Sequence, residues 1–275
     1  MTMRPQPTGT FAWVQATGGP ALVCRPLEAF AAHLFTTRQW LLGSTPNGDA
    51  APAWLDVAAA VGVDLSHLAR LHQVHGAHVV VAQRSVRPDA DIVVSVDPDV
   101  ALAIQTADCV PLLIVDARTR ASAAAHAGWR GLASRVPIVA VEALARQFAS
   151  RPSDLIVAAG PSIGACCYEV GDDVRVRFEA AGFKNEELAR WFFRQPQQTE
   201  RNPSMTGLPA LRPHHWYFDG WAATRDQLAA AGVPFDRIHI AELCTASHPE
   251  YLCSYRRDGK GAGRMAAAIR TATRS

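Results

Sequence analysis

The sequence predicts an α/β fold in a single domain spanning residues 1–275. Short β-branched runs such as IVVSV, PLLIVD and LIVAA alternate with longer Ala-rich stretches of helical periodicity. A chain of 275 residues can bury a large core, and it shows no internal repeat, low-complexity tract or linker at which to divide it.

Taken in order, FAWV and ALVC read as strands around a turn at Gly18-Gly19-Pro20, and FTTR at 35–38 reads as a further short strand. Residues 39–51 form a loop by their Gly, Pro and Asn content, and residues 52–63 an Ala-rich helix ending near Gly62. HVVVAQ, DIVVSV and VALAIQ are strands, the last two separated by the turn Asp97-Pro98-Asp99. PLLIVD and SAAAHAG bracket the turn DARTR as two strands of a hairpin or of a shared sheet. Apolar spacing from 136 to 148 predicts a helix, DLIVAA a buried strand, and GPSIGACCYEVGDDV a loop of small residues. Residues 175–194 read as one amphipathic helical stretch, and the polar segment 195–216, with four prolines, as an excursion loop. A helix follows, capped by Asp219, then the strand RIHIAELC, and then a Gly- and Arg-rich loop ahead of a short Ala-rich ending.

Composition narrows the function. With 27 Lys and Arg against 25 Asp and Glu, the formal charge of +2 is too balanced for a nucleic-acid or membrane-surface binder, so any anion bound is small and locally held. No apolar run approaches the roughly 20 residues that cross a bilayer, and the N-terminal residues do not resemble a secretion signal. The six cysteines are sparse for this length, which points to free thiols in a reducing cytoplasm. The sequence leaves open whether the protein is a monomer or a small homo-oligomer.

His75, Cys109 and His126 each lie near the junction of an apolar run with Gly or Pro, as residues lining a pocket do. Two imidazoles and a thiolate suit zinc, and three protein ligands leave a fourth position for water or substrate. The gaps of 34 and 17 residues match no compact ligand motif, so on spacing alone three ordinary buried side chains explain them as well. His72 and His78 flank His75 at three residues on either side, and His75 is preferred because Gly76 follows it.

HQVHG, TADC with a proline two residues on, HAGWRG, GPSIGACCYEV and SYRRDGKGAGRMAAAI occur in that order from about residue 68 to the C-terminus. Together they resemble the YfiH-like family, also labelled the laccase-domain or purine nucleoside phosphorylase family. The resemblance implies a layered α/β fold with mixed sheets flanked by helices, and a metal site formed by His75, Cys109 and His126. It implies phosphorolysis of adenosine, inosine and 5′-methylthioadenosine and deamination of adenosine, with purine nucleosides and phosphate as partners and zinc rather than copper as cofactor. Some members carry older labels as copper polyphenol oxidases, others are linked to editing of peptidoglycan precursors, and kinship with cysteine hydrolases has been proposed. Residues 1–67 depart from the pattern: the Gly-Gly-hydrophobic-Ser and Ser-Leu-Asn segments are replaced by QWLLGSTPNGDAAPAWLD. If those segments build the substrate pocket, specificity differs here.

The chemistry assigns further candidates. For deamination, zinc lowers the pKa of water from 15.7 to about 7, and Asp108 is a candidate proton carrier or, equally, a turn cap. For phosphorolysis, Arg130, Arg256, Arg257 and Arg264 are candidate phosphate ligands, the last three around Gly259, Gly261 and Gly263. Gln73 is a candidate to orient a ligand imidazole, Trp129 to pack or to stack on a purine, and Cys166 and Cys167 to pack against a pocket floor. Two other functions remain in view: a metal-independent cysteine hydrolase or amidase with Cys109 as nucleophile and His126 or His75 as base, and a copper oxidase, for which the histidines are too few and form no His-X-His pair.

Overall fold

The computed structural model describes residues 4–43, 51–208 and 212–272. Two six-stranded mixed sheets dominate it. The first runs in the order Phe11–Ala16, Gly19–Cys24, Ala31–Thr36, Met265–Thr271, Ala101–Thr106 and Leu68–Arg70, so both ends of the chain share one sheet. The second runs Ile238–Ile240, Leu155–Ala159, Val110–Asp116, Ser122–Ala127, Ile92–Ser95 and Val79–Val81, antiparallel except at its two edges.

The sheets stack face to face, and the side-chain alternation of a strand explains how. Leu113, Val115 and Ala124 of the second sheet meet Leu102, Ile104, Ala267 and Ile269 of the first in the layer between them. Their neighbours Leu112, Ile114, Ala123 and Ala125 point the other way, under the helices Val136–Phe148 and Gly220–Ala230. The outer face of the first sheet, through Ala103, Ala266 and Ala268, is covered by Trp54, Val57 and Ala58 of the helix Ala51–Ala60. Central strands are therefore buried on both faces, which is why PLLIVD and SAAAHA read as unbroken apolar runs.

Several elements differ from expectation. The strand near FTTR is Ala31–Thr36, and Arg38 opens a short 3-10 turn. The stretch 175–194 is two helices, Asp172–Ala180 and Asn185–Trp191, broken at Gly182, whose φ of +82° ends the first. The loop expected over 160–174 contains the strand Glu169–Gly171, which pairs with His215–Phe218 at the end of the proline-rich segment. The strand in RIHIAELC is only Ile238–Ile240. The Ala-rich ending is the strand Met265–Thr271, where small side chains let a sheet and a helix approach from opposite faces. Of the expected loops, residues 44–50 and 209–211 lie outside the described residues.

Leu113 is fully buried between the sheets. Leu113→Ala is expected to cost about 2–5 kcal/mol, lowering the denaturation midpoint without changing the slope; a loss below about 1 kcal/mol would mean that the layer repacks freely.

Candidate metal centre

Strand register brings the three candidate ligands together. Val110–Asp116 pairs antiparallel with Ser122–Ala127, with Val110 opposite Ala127 and Pro111 opposite His126. One step outward, Cys109 meets Gly128: a Cβ at 128 would come within 2.8 Å of Cys109 Sγ and 3.4 Å of the His75 ring, so the absence of a side chain there leaves room for both. On the other flank Ile92 pairs with Ala125, which sets Asp91 beside His126. His75 arrives on the loop after Leu68–Arg70 in a left-handed conformation, φ +59°. The His75 and His126 rings stand edge to face at 4.9 Å, and one donor atom from each of His75, Cys109 and His126 lies within 4.8 Å of the others.

Asp91, which the sequence did not single out, holds this arrangement. His126 donates through Nδ1 to Asp91 Oδ1 at 2.8 Å, which leaves the Nε2 lone pair for an ion. The same carboxylate accepts the backbone N–H groups of Val74 at 3.3 Å, His75 at 3.1 Å and Gly76 at 2.6 Å. Burial opposes charge on Asp91, but the hydrogen bonds from His126 and Gly76 outweigh it and keep the carboxyl below its usual range. Burial likewise opposes ionisation of Cys109, yet His126 and His75 bring its thiol down to about 6. His126, despite its burial, is raised to about 9 by Cys109 and Asp91. In the absence of an ion, Cys109 and His126 thus form a thiolate–imidazolium pair between these values.

His75, Cys109 and His126 line a cavity of about 490 Å³. Gln73, Asp108, Arg256 and Arg264 also border it, but Arg130 and Arg257 do not. Arg130 lies over the Trp129 ring at 4.3 Å. Arg257 directs its guanidinium to the carbonyls of Thr245, Ala246 and Leu252 and to Asp258, binding its own loop together. Gln73 exchanges two hydrogen bonds with the backbone of Gln105 and so extends a strand pairing; Asp91 orients the ligand imidazole in its place. Asp108 accepts from Thr245 Oγ1 at 2.5 Å and from the Arg256 N–H at 2.6 Å, so its carboxyl anchors the arginine loop beside Cys109. Burial pushes its pKa up.

Arg256 is held over Tyr168, its guanidinium donating to the Glu169 carbonyl at 2.6 Å. Arg264 donates to the carbonyls of Ala262 and Gly263. His72 pairs with Asp89, and His78 bonds the Asp89 carbonyl. Arg87 joins the lining from outside every quoted motif, and Tyr168 and Tyr255 join it from within GPSIGACCYEV and SYRRDGKGAGRMAAAI, where the sequence did not single them out. Trp129, Cys166 and Cys167 do not line this cavity, and none of the described residues before position 68 does.

Cys109 is the accessible thiol, whereas burial holds Cys24 at about 12 and Cys253 at about 11. In chelator-treated protein, alkylation of Cys109 is expected to follow a midpoint near pH 6, where the thiol loses its proton, and to persist above it. Asp91→Asn should move that midpoint upward and weaken metal binding by roughly 10–100-fold. A wild-type midpoint near that of an ordinary thiol would rule out the ion pair.

Residues 51–272 match the family model described as multi-copper polyphenol oxidoreductase laccase. The chain is 37% identical over 213 residues to a purine nucleoside phosphorylase of Deinococcus radiodurans, covering 78% of this chain and 74% of that one. It is 34% identical over 229 residues to adenosine deaminase RL5 of an unknown prokaryotic organism, covering 79% and 80%. The crystal structure of YlmD from Geobacillus stearothermophilus superposes with a TM-score of 0.77 at 28% identity, over 95% of this chain and 99% of that one. Motif order, layered architecture and these similarities agree, and the chain belongs to the YfiH-like, laccase-domain family, whose curated members include enzymes named purine nucleoside phosphorylase and adenosine deaminase.

Proposed function

We propose that this protein is a zinc-dependent purine nucleoside enzyme of the cytoplasm, cleaving adenosine, inosine and 5′-methylthioadenosine with phosphate and deaminating adenosine. The observation that carries the reading is the convergence of two imidazoles and one thiol within 4.8 Å in a 490 Å³ cavity bordered by arginines. The names of the relatives supply the substrate class. The donor set fits zinc in ligand type and number, and Asp91 and Gly128 provide the orientation and space that such a set needs.

His75, Cys109 and His126 would hold the ion, which when bound supplies Lewis acidity at the cavity floor. Asp91 takes the His126 Nδ1 proton in a hydrogen bond, so Nε2 is the nitrogen that would give up its proton to bind an ion. Tyr168 and Tyr255 give the cavity aromatic surface suited to a purine. Arg256, fixed by Asp108 and Glu169, sets positive charge in the lining of the cavity that Cys109 also borders, where phosphate would attack the ribose as charge develops on the sugar.

The low thiol pKa of Cys109 beside His126 also favours a second reading, a cysteine hydrolase that needs no metal. The His2Cys set is compatible with copper as well, but a multicopper oxidase requires further histidine-rich sites. Among the described residues the other group of potential ligands is made of three cysteines.

Zinc-loaded protein is expected to release base from adenosine or inosine only with phosphate present and to lose that activity on chelation. Arg256→Ala should raise the KM for phosphate roughly 10–100-fold, the value of a charge-assisted hydrogen bond, with less effect on that for nucleoside. Activity that survives chelation but not Cys109 alkylation would select the hydrolase reading, and inert zinc-loaded protein would remove the nucleoside assignment.

A further inference from the structure

A second group of soft donors lies apart from the proposed catalytic cavity. Cys166, Cys167 and Cys244 are buried, and their Sγ atoms lie within 4.8 Å of one another. Backbone pairing brings them together: Ser162 bridges Cys244, and the turn after Ile163 folds the adjacent pair Cys166–Cys167 back over it.

A buried cysteine is usually no more than a small hydrophobe, but two of these three sulfurs accept backbone hydrogen bonds. The Met205 N–H donates to Cys167 Sγ at 3.2 Å, and the Gly164 N–H to Cys244 Sγ at 3.3 Å. Amide donors aimed at sulfur stabilise thiolate charge, as they do around metal–thiolate clusters. Ser247 Oγ lies 3.5 Å from Cys166 Sγ and 3.6 Å from Cys167 Sγ, while it donates its proton to the Pro203 carbonyl at 2.6 Å. Its lone pairs therefore remain available to an acceptor of oxygen ligands.

We propose that Cys166, Cys167 and Cys244 form a second metal site, which binds a thiophilic d10 cation such as zinc as three thiolates with Ser247 Oγ or water as fourth donor. Each S–H bond breaks as an S–metal bond forms, and the protons leave to solvent. With Zn–S bonds of about 2.3 Å, sulfurs on one tetrahedron sit about 3.8 Å apart, so the thiols need draw in by no more than about 1 Å. A route exists, because Cys166 borders a separate cavity of about 610 Å³ with Asn202, Trp221 and Glu242. The ion would clamp the Pro203–Met205 segment to the bridge between Cys244 and Ser162, next to Thr245, which bonds Asp108. Its role is to stiffen the wall behind the arginine loop, and it stands whether or not the nucleoside assignment holds.

Cadmium is a suitable probe, because its sulfur-to-metal charge-transfer absorption grows with the number of thiolates bound. Chelator-treated Cys109→Ala protein is expected to take up about one equivalent of Cd2+ with the absorption of about three thiolates. Cys244→Ser should lose that band yet keep an equivalent bound through one thiolate. A Cys109→Ala protein that binds no cadmium overturns the proposal, as does a disulfide within the trio that persists in protein purified under reducing conditions. Should Cys244→Ser fail to fold, the wild type answers: in sub-denaturing urea, zinc should protect Cys166, Cys167 and Cys244 from alkylation more than it protects Cys24 and Cys253, which are equally buried but outside the cluster. Equal protection of all five overturns the proposal.

Discussion

The buried carboxylate of Asp91 is the constraint on which the candidate centre depends. It is fully buried and receives one imidazole N–H and three backbone N–H groups. A carboxylate in that position is tolerable only because its lone pairs are met, and in meeting them it fixes two things together. It selects the tautomer of His126, and it holds the Val74–Gly76 turn in the left-handed conformation that delivers His75. Without it, His75 would sit on an unpinned loop and His126 would be free to present either nitrogen.

The stacked sheets supply the rest by simple geometry. Three neighbouring strands of one sheet bring Asp91, His126 and Cys109 side by side, because pairing register fixes the partner of every residue. The other sheet contributes the loop bearing His75 and, through its last strand, fixes one end of the arginine loop. The centre therefore sits where the ends of the two layers meet, with Cys109 and His126 at strand ends and His75 on a loop pinned by Asp91, a placement that favours preorganised donors. Asp108 joins the two halves, since it carries Cys109 at its back and anchors both Thr245 and the Arg256 backbone.

The cationic side of the cavity shows how similar residues can do different work. Arg256 and Arg257 are adjacent in sequence, but the helical turn Tyr255–Asp258 sends them apart. Arg257 satisfies carbonyls of its own loop, whereas Arg256 faces the cavity beside Tyr168. The family label refers to copper and the relatives are named for purine nucleosides. A compact His2Cys set with an aromatic and cationic surround suits a single Lewis-acid centre acting on a small polar substrate.

The amino-acid sequence by itself determined the α/β alternation, most of the buried strands, the Asp219 helix cap and the family, because these follow from local periodicity, capping chemistry and contiguous motifs. It also marked His75, Cys109 and His126, although their spacing alone could not distinguish ligands from core residues. PLLIVD and SAAAHAG around DARTR left a hairpin or a shared sheet equally open, and the register that sets Cys109 against Gly128 came from the structure. Only the tertiary structure decided that Asp91 rather than Gln73 orients the imidazole, that Arg257 and Arg130 leave the cavity, and that Cys244 joins Cys166 and Cys167. Each of these depends on contacts between segments far apart in the chain, and such contacts are set by how the layers pack, which no local pattern of residues records.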